Sequence, residues 1–294
     1  MRPAPAFVAI AALVAAMVSY QFGASLAKHL FPAVGAEGAT AYRLGLSAII
    51  LVLLRRPWRS SPSSAKKDWR VLWGYGLAIG AMNFVFYMSL RTIPLGIAVA
   101  LEFTGPLALA LFHSRRPIDF AWTALVIAGL LLLLPLRGLD KPLDPVGVAY
   151  ALAAGVGWAL YIVLGRKAGA AYGATAVPLG ITIGALATIP IGFAHAGTAL
   201  FSLGLLPYAL GVAVLSSALP YSLEMVAMTR MSTRTFSVLL SLEPAIAALA
   251  GFALLSEHLG PLQWLAIAAI VIAAAGTALS ARRPATEDQP LPIG

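Results

Sequence analysis

The residues that could carry chemistry here are ionisable and hydroxyl side chains set inside long apolar runs. Glu102 stands in the middle of the run 94–112, with Thr104, Gly105 and Pro106 beside it. An ionised side chain near the centre of a bilayer costs at least ~2.5–3.5 kcal/mol, so it normally faces the protein interior and marks a site or pathway. Pro106 cannot donate to the carbonyl four residues back, that of Glu102, and its ring clashes there. A freed carbonyl beside a carboxylate suits a cavity wall and is wrong against hydrocarbon. The alternative is a kinked structural helix in which a protonated Glu102 is hydrogen-bonded. The pair Glu243-Pro244 sets a second carboxylate and proline near the middle of another run, where a paired or titrating glutamate is expected.

Other polar residues fall on single helical faces. Gln21, Ser25 and Lys28 stand at i, i+4 and i+7, one stripe. Lys28 lies near a span end, where it either snorkels to the headgroups or joins the stripe. Arg43 sits a little inside a boundary, placed to anchor the interface or to reach inward to a carboxylate. Asn83 and Tyr87 are one turn apart and would share a face with Glu102 if neighbouring spans pack as a hairpin. Trp158 and Tyr161 share a face suited to packing or to holding a cation. Ser217, Tyr221 and Glu224 repeat the i, i+4, i+7 stripe, and Pro220 opens the carbonyl of Ser216. Glu224, near an inner end, has Arg230 or Arg234 as its alternative partners.

Several chemistries find no support. The chain has no cysteine, hence no disulfide, thiol catalysis or Cys-ligated metal. His29, His113, His195 and His258 lie near span ends without ligand spacing, so no metal site is expected. There is no Gly-x-x-x-x-Gly-Lys-Ser/Thr loop, no Gly-x-Ser-x-Gly and no His-Glu-x-x-His. Neither direct ATP drive nor an enzyme is indicated, and no cofactor is expected.

The elements that position these residues follow from composition. Of 294 residues, 60% are hydrophobic and 11% charged, against ~45–50% and ~25% in soluble domains, so the chain is an integral membrane protein. A net charge of +9 could suggest nucleic acid, but the basic residues sit in short gaps between apolar runs and read as topology. With ~20 apolar residues per crossing, ten spans are expected near 6–30, 37–54, 70–90, 94–113, 119–136, 145–165, 174–194, 204–227, 233–255 and 261–280. The second is the shortest, and 55–68 is the longest clear loop. Placing the N-terminus in the cytoplasm puts fifteen of the 20 lysines and arginines on inner segments, so both termini are expected inside.

A shift of 138 positions lays Tyr20 on Trp158, Lys28 on Arg166, Leu101 on Leu239 and Pro106 on Pro244. Two five-span halves result, 1–139 and 140–283, followed by a disordered cytoplasmic tail, 284–294. Because five is odd, the second half enters the membrane in the opposite sense. That is an inverted-topology repeat, which places a binding site near mid-bilayer where the halves meet.

These features resemble the EamA branch of the drug/metabolite transporter superfamily. The resemblance rests on the ten-span plan, Arg43 early in the second span and Glu243-Pro244. More narrowly, Gln21–Leu30, Pro94–Pro106 with Ser114–Pro117, and Ala218–Met225 are similar to bacterial inner-membrane amino-acid exporters of that branch. The similarity covers nearly the whole chain, with the 55–68 loop and the tail diverging. It implies proton-driven export of small amino acids of the threonine and homoserine kind, by alternating access around a central cavity in the inner membrane. Gln21, Ser25, Lys28, Arg43, Asn83, Tyr87, Glu102, Trp158, Tyr161, Ser217, Tyr221 and Glu224 become substrate-binding candidates. A zwitterion needs a cation for its carboxylate, Lys28 or Arg43, and an anion or aromatic wall for its ammonium. Glu102 and Glu243 are the proton-coupling candidates, since burial raises a carboxylate's affinity for a proton. Pro106, Pro220 and Pro244 are the candidate flex points. Another solute (an aromatic amino acid, a purine or a cationic drug) and a non-transporting receptor or assembly subunit stay open. The sequence leaves oligomeric state undefined.

Overall fold

The computed structural model describes residues 6–27, 29–59, 68–93, 95–114, 116–133, 143–246, 249 and 260–281. Among them every regular element is helical. The chain runs through α1 (Ala6–Ala27), α2 (Phe31–Arg55), α3 (Trp69–Ser89), α4 (Leu95–Glu102), α5 (Thr104–Phe112) and α6 (Pro117–Leu133). It continues with α7 (Pro145–Tyr172), α8 (Ala176–Ala196), α9 (Leu206–Ala213), a π-helical turn at Val214–Ala218, α10 (Leu219–Met228), α11 (Thr233–Leu239) and α12 (Pro261–Ala281). Among the described residues four stretches are long and apolar enough to cross a membrane: Phe31–Arg59, Trp69–Ser89, Pro145–Phe201, which holds both α7 and α8, and Leu203–Met228. Shorter apolar helices cover Phe7–Gly23, Ile97–Phe112, Pro117–Leu132 and Pro261–Thr277. Lys28, loop residues 60–67 and the tail 284–294 lie outside the described residues.

Local chemistry sets the helix boundaries. The Asp144 carboxylate accepts from the N–H groups of Val146 (3.1 Å) and Gly147 (3.3 Å) ahead of α7, with Pro145 in the first turn. Asp68 does the same for Arg70 at α3, and Ser232 for Thr235 at α11. α2 covers Phe31–Arg55; beyond the non-helical Gly35 it runs close to the expected 37–54, and the segment ahead of Gly35 adds a lead-in that the sequence reading left out. It bends at Gly35, whose φ of 68° and ψ of −177° belong to a region only glycine enters readily. Glu37, Thr40, Arg43 and Ser47 form one buried stripe along it. These polar groups lower the local hydropathy without facing lipid.

The fourth span breaks where Pro106 requires it. α4 ends at Glu102, a turn falls at Phe103, and α5 begins at Thr104. In the second half α11 stops at Leu239, residues 240–241 form a turn, and 242–246 are helical again around Pro244. There the Glu243 N–H donates to the Leu240 carbonyl at 2.9 Å, the group that Pro244 leaves without its usual partner.

Small residues allow the helices to close on one another. α2 packs on α8, α3 on α7 and α8, α1 on α10, and α6 on α12. Gly76 and Gly80 of α3 meet Gly180 and Gly184 of α8 backbone to backbone, so a Cβ on Gly80 would lie 3.0 Å from the Gly184 Cα. Where α7 crosses the break, a Cβ on Gly155 would lie 2.6 Å from the carbonyl oxygen of Glu102. The freed carbonyl is thus covered by glycine backbone and shielded from lipid. Ion pairs tie the ends: Arg91 to Glu37 at 2.9 Å, with His195 3.7 Å from the same carboxylate, and Arg234 to Asp119.

Gly155→Leu is expected to lower stability by ~3 kcal/mol, the upper end of overpacking costs, measured as thermal unfolding in detergent. An unchanged melting temperature would mean that α7 does not cross α4–α5 this closely.

Candidate functional site

The site begins with a backbone defect. Between α9 and α10 the helix widens to a π-turn, in which the Leu219 N–H donates five residues back to Val214, and Pro220 then contributes no N–H at all. Single π-turns of this kind often mark functional positions. Carbonyls along this stretch are satisfied by side chains from the first half of the chain. Ser47 Oγ donates to the Ala213 carbonyl (2.8 Å), Ser19 Oγ to Leu215 (2.7 Å) and Arg43 Nη2 to Ser216 (2.5 Å). The carbonyl expected to be opened by Pro220 is therefore the one that Arg43 occupies.

Arg43 is buried. Its Nε donates to Ser217 Oγ at 2.8 Å, its Nη1 lies 3.4 Å from the Tyr87 hydroxyl, and its guanidinium carbon sits 5.6 Å and 5.5 Å from the ring centres of Tyr20 and Tyr87. Those separations are within cation–π range. Among the described residues no carboxylate pairs with it. This corrects both sequence readings of Arg43, as interface anchor and as partner of a carboxylate. A guanidinium carries five N–H donors, and three are directed at these groups, so two remain.

A wall of tyrosines leads from Arg43 to a carboxylate. Tyr20 meets Tyr221 edge-on (6.2 Å), Tyr221 lies against Tyr161 (5.4 Å), and Tyr161 stacks on Tyr75 (5.6 Å). Asn83 donates to the Tyr221 hydroxyl at 2.6 Å and to the Ile79 carbonyl at 2.7 Å. Asn83 and Tyr221 are 138 positions apart, the same offset as the repeat expected from the sequence. The Tyr161 hydroxyl donates to Glu224 Oε2 at 2.7 Å, and Glu224 is 1% exposed. The alternative pairing of Glu224 with Arg230 or Arg234 does not occur, and Arg234 is held by Asp119.

The remaining candidates divide. Trp158 packs edge-on to Phe103, 6.0 Å away, beside this cluster. Glu243 has a buried Oε2 with no hydrogen-bond partner among the described residues. Glu102 is half-buried at the α4–α5 break, and the hydrogen bonds of Asn83 run across to α10, not to Glu102. Gln21 is half-buried and joins none of the cluster's bonds, while the Ser25 side chain and Lys28 fall outside the described set. Ser19, Tyr20, Ser47 and Tyr75 belong to the cluster although sequence reasoning did not name them as site residues, whereas the Ser216 carbonyl was expected. Ser47 lies one turn beyond Arg43, and Tyr20 aligns with Trp158 in the repeat, so both carried a legible signal.

The arrangement is a buried cation with no carboxylate in contact among the described residues and a buried carboxylate, separated by aromatic rings. These are the two opposite charges that the ends of a zwitterion require. Arg43→Lys keeps the charge but not the fork, and leaving a buried acceptor unmet costs ~1–3 kcal/mol. That loss is expected in detergent unfolding, and full stability would show that the Ser216 carbonyl does not need Arg43.

Comparison with known proteins places this architecture. Residues 145–279 match the model of the EamA-like transporter family. "Threonine/homoserine exporter RhtA" of Escherichia coli (strain K12) is 51% identical over 283 residues, spanning 96% of this chain and 95% of that protein. The protein of the same name from Salmonella typhimurium (strain LT2) is 52% identical over 282 residues, with the same shares covered. A protein of known crystal structure superposes with a TM-score of 0.75 at 21% identity, covering 94% of this chain and 98% of its own, a likeness of fold. The matched family is one of transporters, not enzymes. With half of its residues shared with full-length relatives, the chain belongs to the EamA-like transporter family.

Proposed function

We propose that this protein is a secondary exporter of small amino acids of the threonine and homoserine kind, driven by proton exchange. The observation that carries the reading is Arg43, a buried cation with spare donors and no carboxylate in contact among the described residues, one aromatic layer from Glu224. The relatives named as threonine/homoserine exporters, matched along almost the whole chain, supply the substrate class.

In this reading the substrate carboxylate takes the two free N–H groups of Arg43, and its ammonium lies against tyrosine faces and the open oxygen of Glu224. The chain crosses the inner membrane ten times as two inverted five-span halves, 1–139 and 140–283, with both termini and the tail 284–294 in the cytoplasm. Supporting this, packing recurs in symmetric pairs: α3 on α7 mirrors α1 on α10, α2 meets α8 and α6 meets α12. The Asn83–Tyr221 bond joins positions one repeat apart, as contacts at a pseudo-two-fold axis do. Pro106, Pro220 and Pro244, at the three interrupted helices, are the flex points for alternating access. Glu243, with its unpartnered buried oxygen, is the first coupling candidate and Glu102 the second.

The test is flux in liposomes. Vesicles of the purified protein with an acidic interior are expected to accumulate labelled threonine or homoserine saturably, as protons leave and substrate enters. No saturable flux would leave a non-transporting membrane protein, and flux blocked only by other solutes would move the substrate. Glu243→Gln is expected to keep threonine exchange between equal pools while losing accumulation driven by the pH gradient. Accumulation within about twofold of wild type would remove Glu243 from coupling and leave Glu102.

A further inference from the structure

A second site lies away from the central cluster, where α2, α7 and α10 end and α8 begins. A crevice of about 260 Å³ opens there, rimmed by Arg55, Arg166 and Arg230. Each arginine comes from a different segment, and no aspartate or glutamate is among the lining residues. Arg166 is fixed in place, its Nη1 donating to the Met231 carbonyl at 2.7 Å. Arg55 and Arg230 are exposed.

The floor is of a different character. Val177, Met225, Val226 and Met228 make it apolar, and beside it Leu53 and Leu54 of α2 are 61% and 72% exposed. On α10, Val226 continues through Ser222 to Leu219, which is 41% exposed, as one stripe at i−4 and i−7. The Glu224 and Tyr221 side chains belong to the central cluster, so this crevice is separate from it. A small anion alone has no use for an apolar wall, and a purely apolar ligand has none for three arginines. The volume lies just below the ~300–1,000 Å³ of ordinary small-molecule sites, which suits a headgroup whose tails run outside.

We propose that this arginine-rimmed crevice binds the phosphate of an anionic phospholipid, with the acyl chains lying along Leu219 and the apolar end of α2. Basic pockets between spans at headgroup level are suited to such lipids, each basic side chain near the surface adding ~1 kcal/mol of attraction. The lipid would bridge segments from both halves of the chain at one membrane face. It is a site separate from that of the transported solute.

The test uses full-length protein in a non-ionic detergent, offered phosphatidylglycerol or phosphatidylcholine of matched chains, with retained lipid counted by native mass spectrometry. Wild type is expected to retain phosphatidylglycerol about tenfold or more over phosphatidylcholine, and Arg55→Gln/Arg230→Gln to lose that preference. The control Arg56→Gln/Arg59→Gln removes two exposed charges from the same end but outside the crevice, and is expected to keep it. Equal retention of the two lipids by wild type would overturn the proposal, and so would an equal loss in the control, which would mark general surface attraction. Inorganic phosphate is the last arm. If it displaces the lipid and raises the melting temperature by itself, the site belongs to a free anion and the lipid assignment falls.

Discussion

The structure depends on a helix that cannot satisfy its own backbone. Within hydrocarbon every carbonyl must find a donor inside the protein, and the stretch from Ala213 to Pro220 leaves several without their usual partners. Ser47, Ser19 and Arg43 supply donors, all from α1 and α2. The interrupted helix of the second half is therefore pinned to the first half by polar bonds at the centre of the molecule. Glycines elsewhere provide the close approach that this pinning requires, as at Gly23, where a Cβ would lie 2.6 Å from that of Ser216.

The same contacts explain how a guanidinium survives in the interior without a carboxylate. Neutral acceptors and two tyrosine faces replace part of its hydration, and no carboxylate among the described residues is in contact with it. A buried cation held only by neutral groups favours an anionic ligand. Across the tyrosines, Glu224 keeps Oε2 on Tyr161, and Oε1 takes no hydrogen bond among the described residues. In the proposed reading these two spare valences recognise the two ends of an amino acid, and the broken helices at Phe103, at 214–220 and at 240–241 supply the motion.

Much of this was legible in the sequence, and what was not has physical causes. Glu102, Pro106, Pro220 and Pro244 could be read directly, because a proline's missing donor acts locally on the carbonyl four residues back. The Ser217-Tyr221-Glu224 stripe likewise followed from helical spacing. Arg43 could be placed in a span but not paired, since its acceptor lies 173 residues away in the chain. The part of α2 that went unread is the short lead-in ahead of Gly35, where the non-helical backbone at that glycine separates it from the long helix that follows. Tyr75 was missed because an aromatic in an apolar run looks the same whether it lines a site or fills a core, whereas Tyr20 had a signal in its alignment with Trp158 that went unused.

The most direct measurement of the central claim is calorimetric binding of threonine and of threoninol, its analogue with an alcohol in place of the carboxylate, to wild type and to Arg43→Gln. The account predicts that wild type binds threonine at least about tenfold more tightly, the scale of one charge-assisted contact, and that Arg43→Gln no longer distinguishes the two. Unchanged discrimination in Arg43→Gln would contradict it, because the substrate carboxylate would then be held elsewhere.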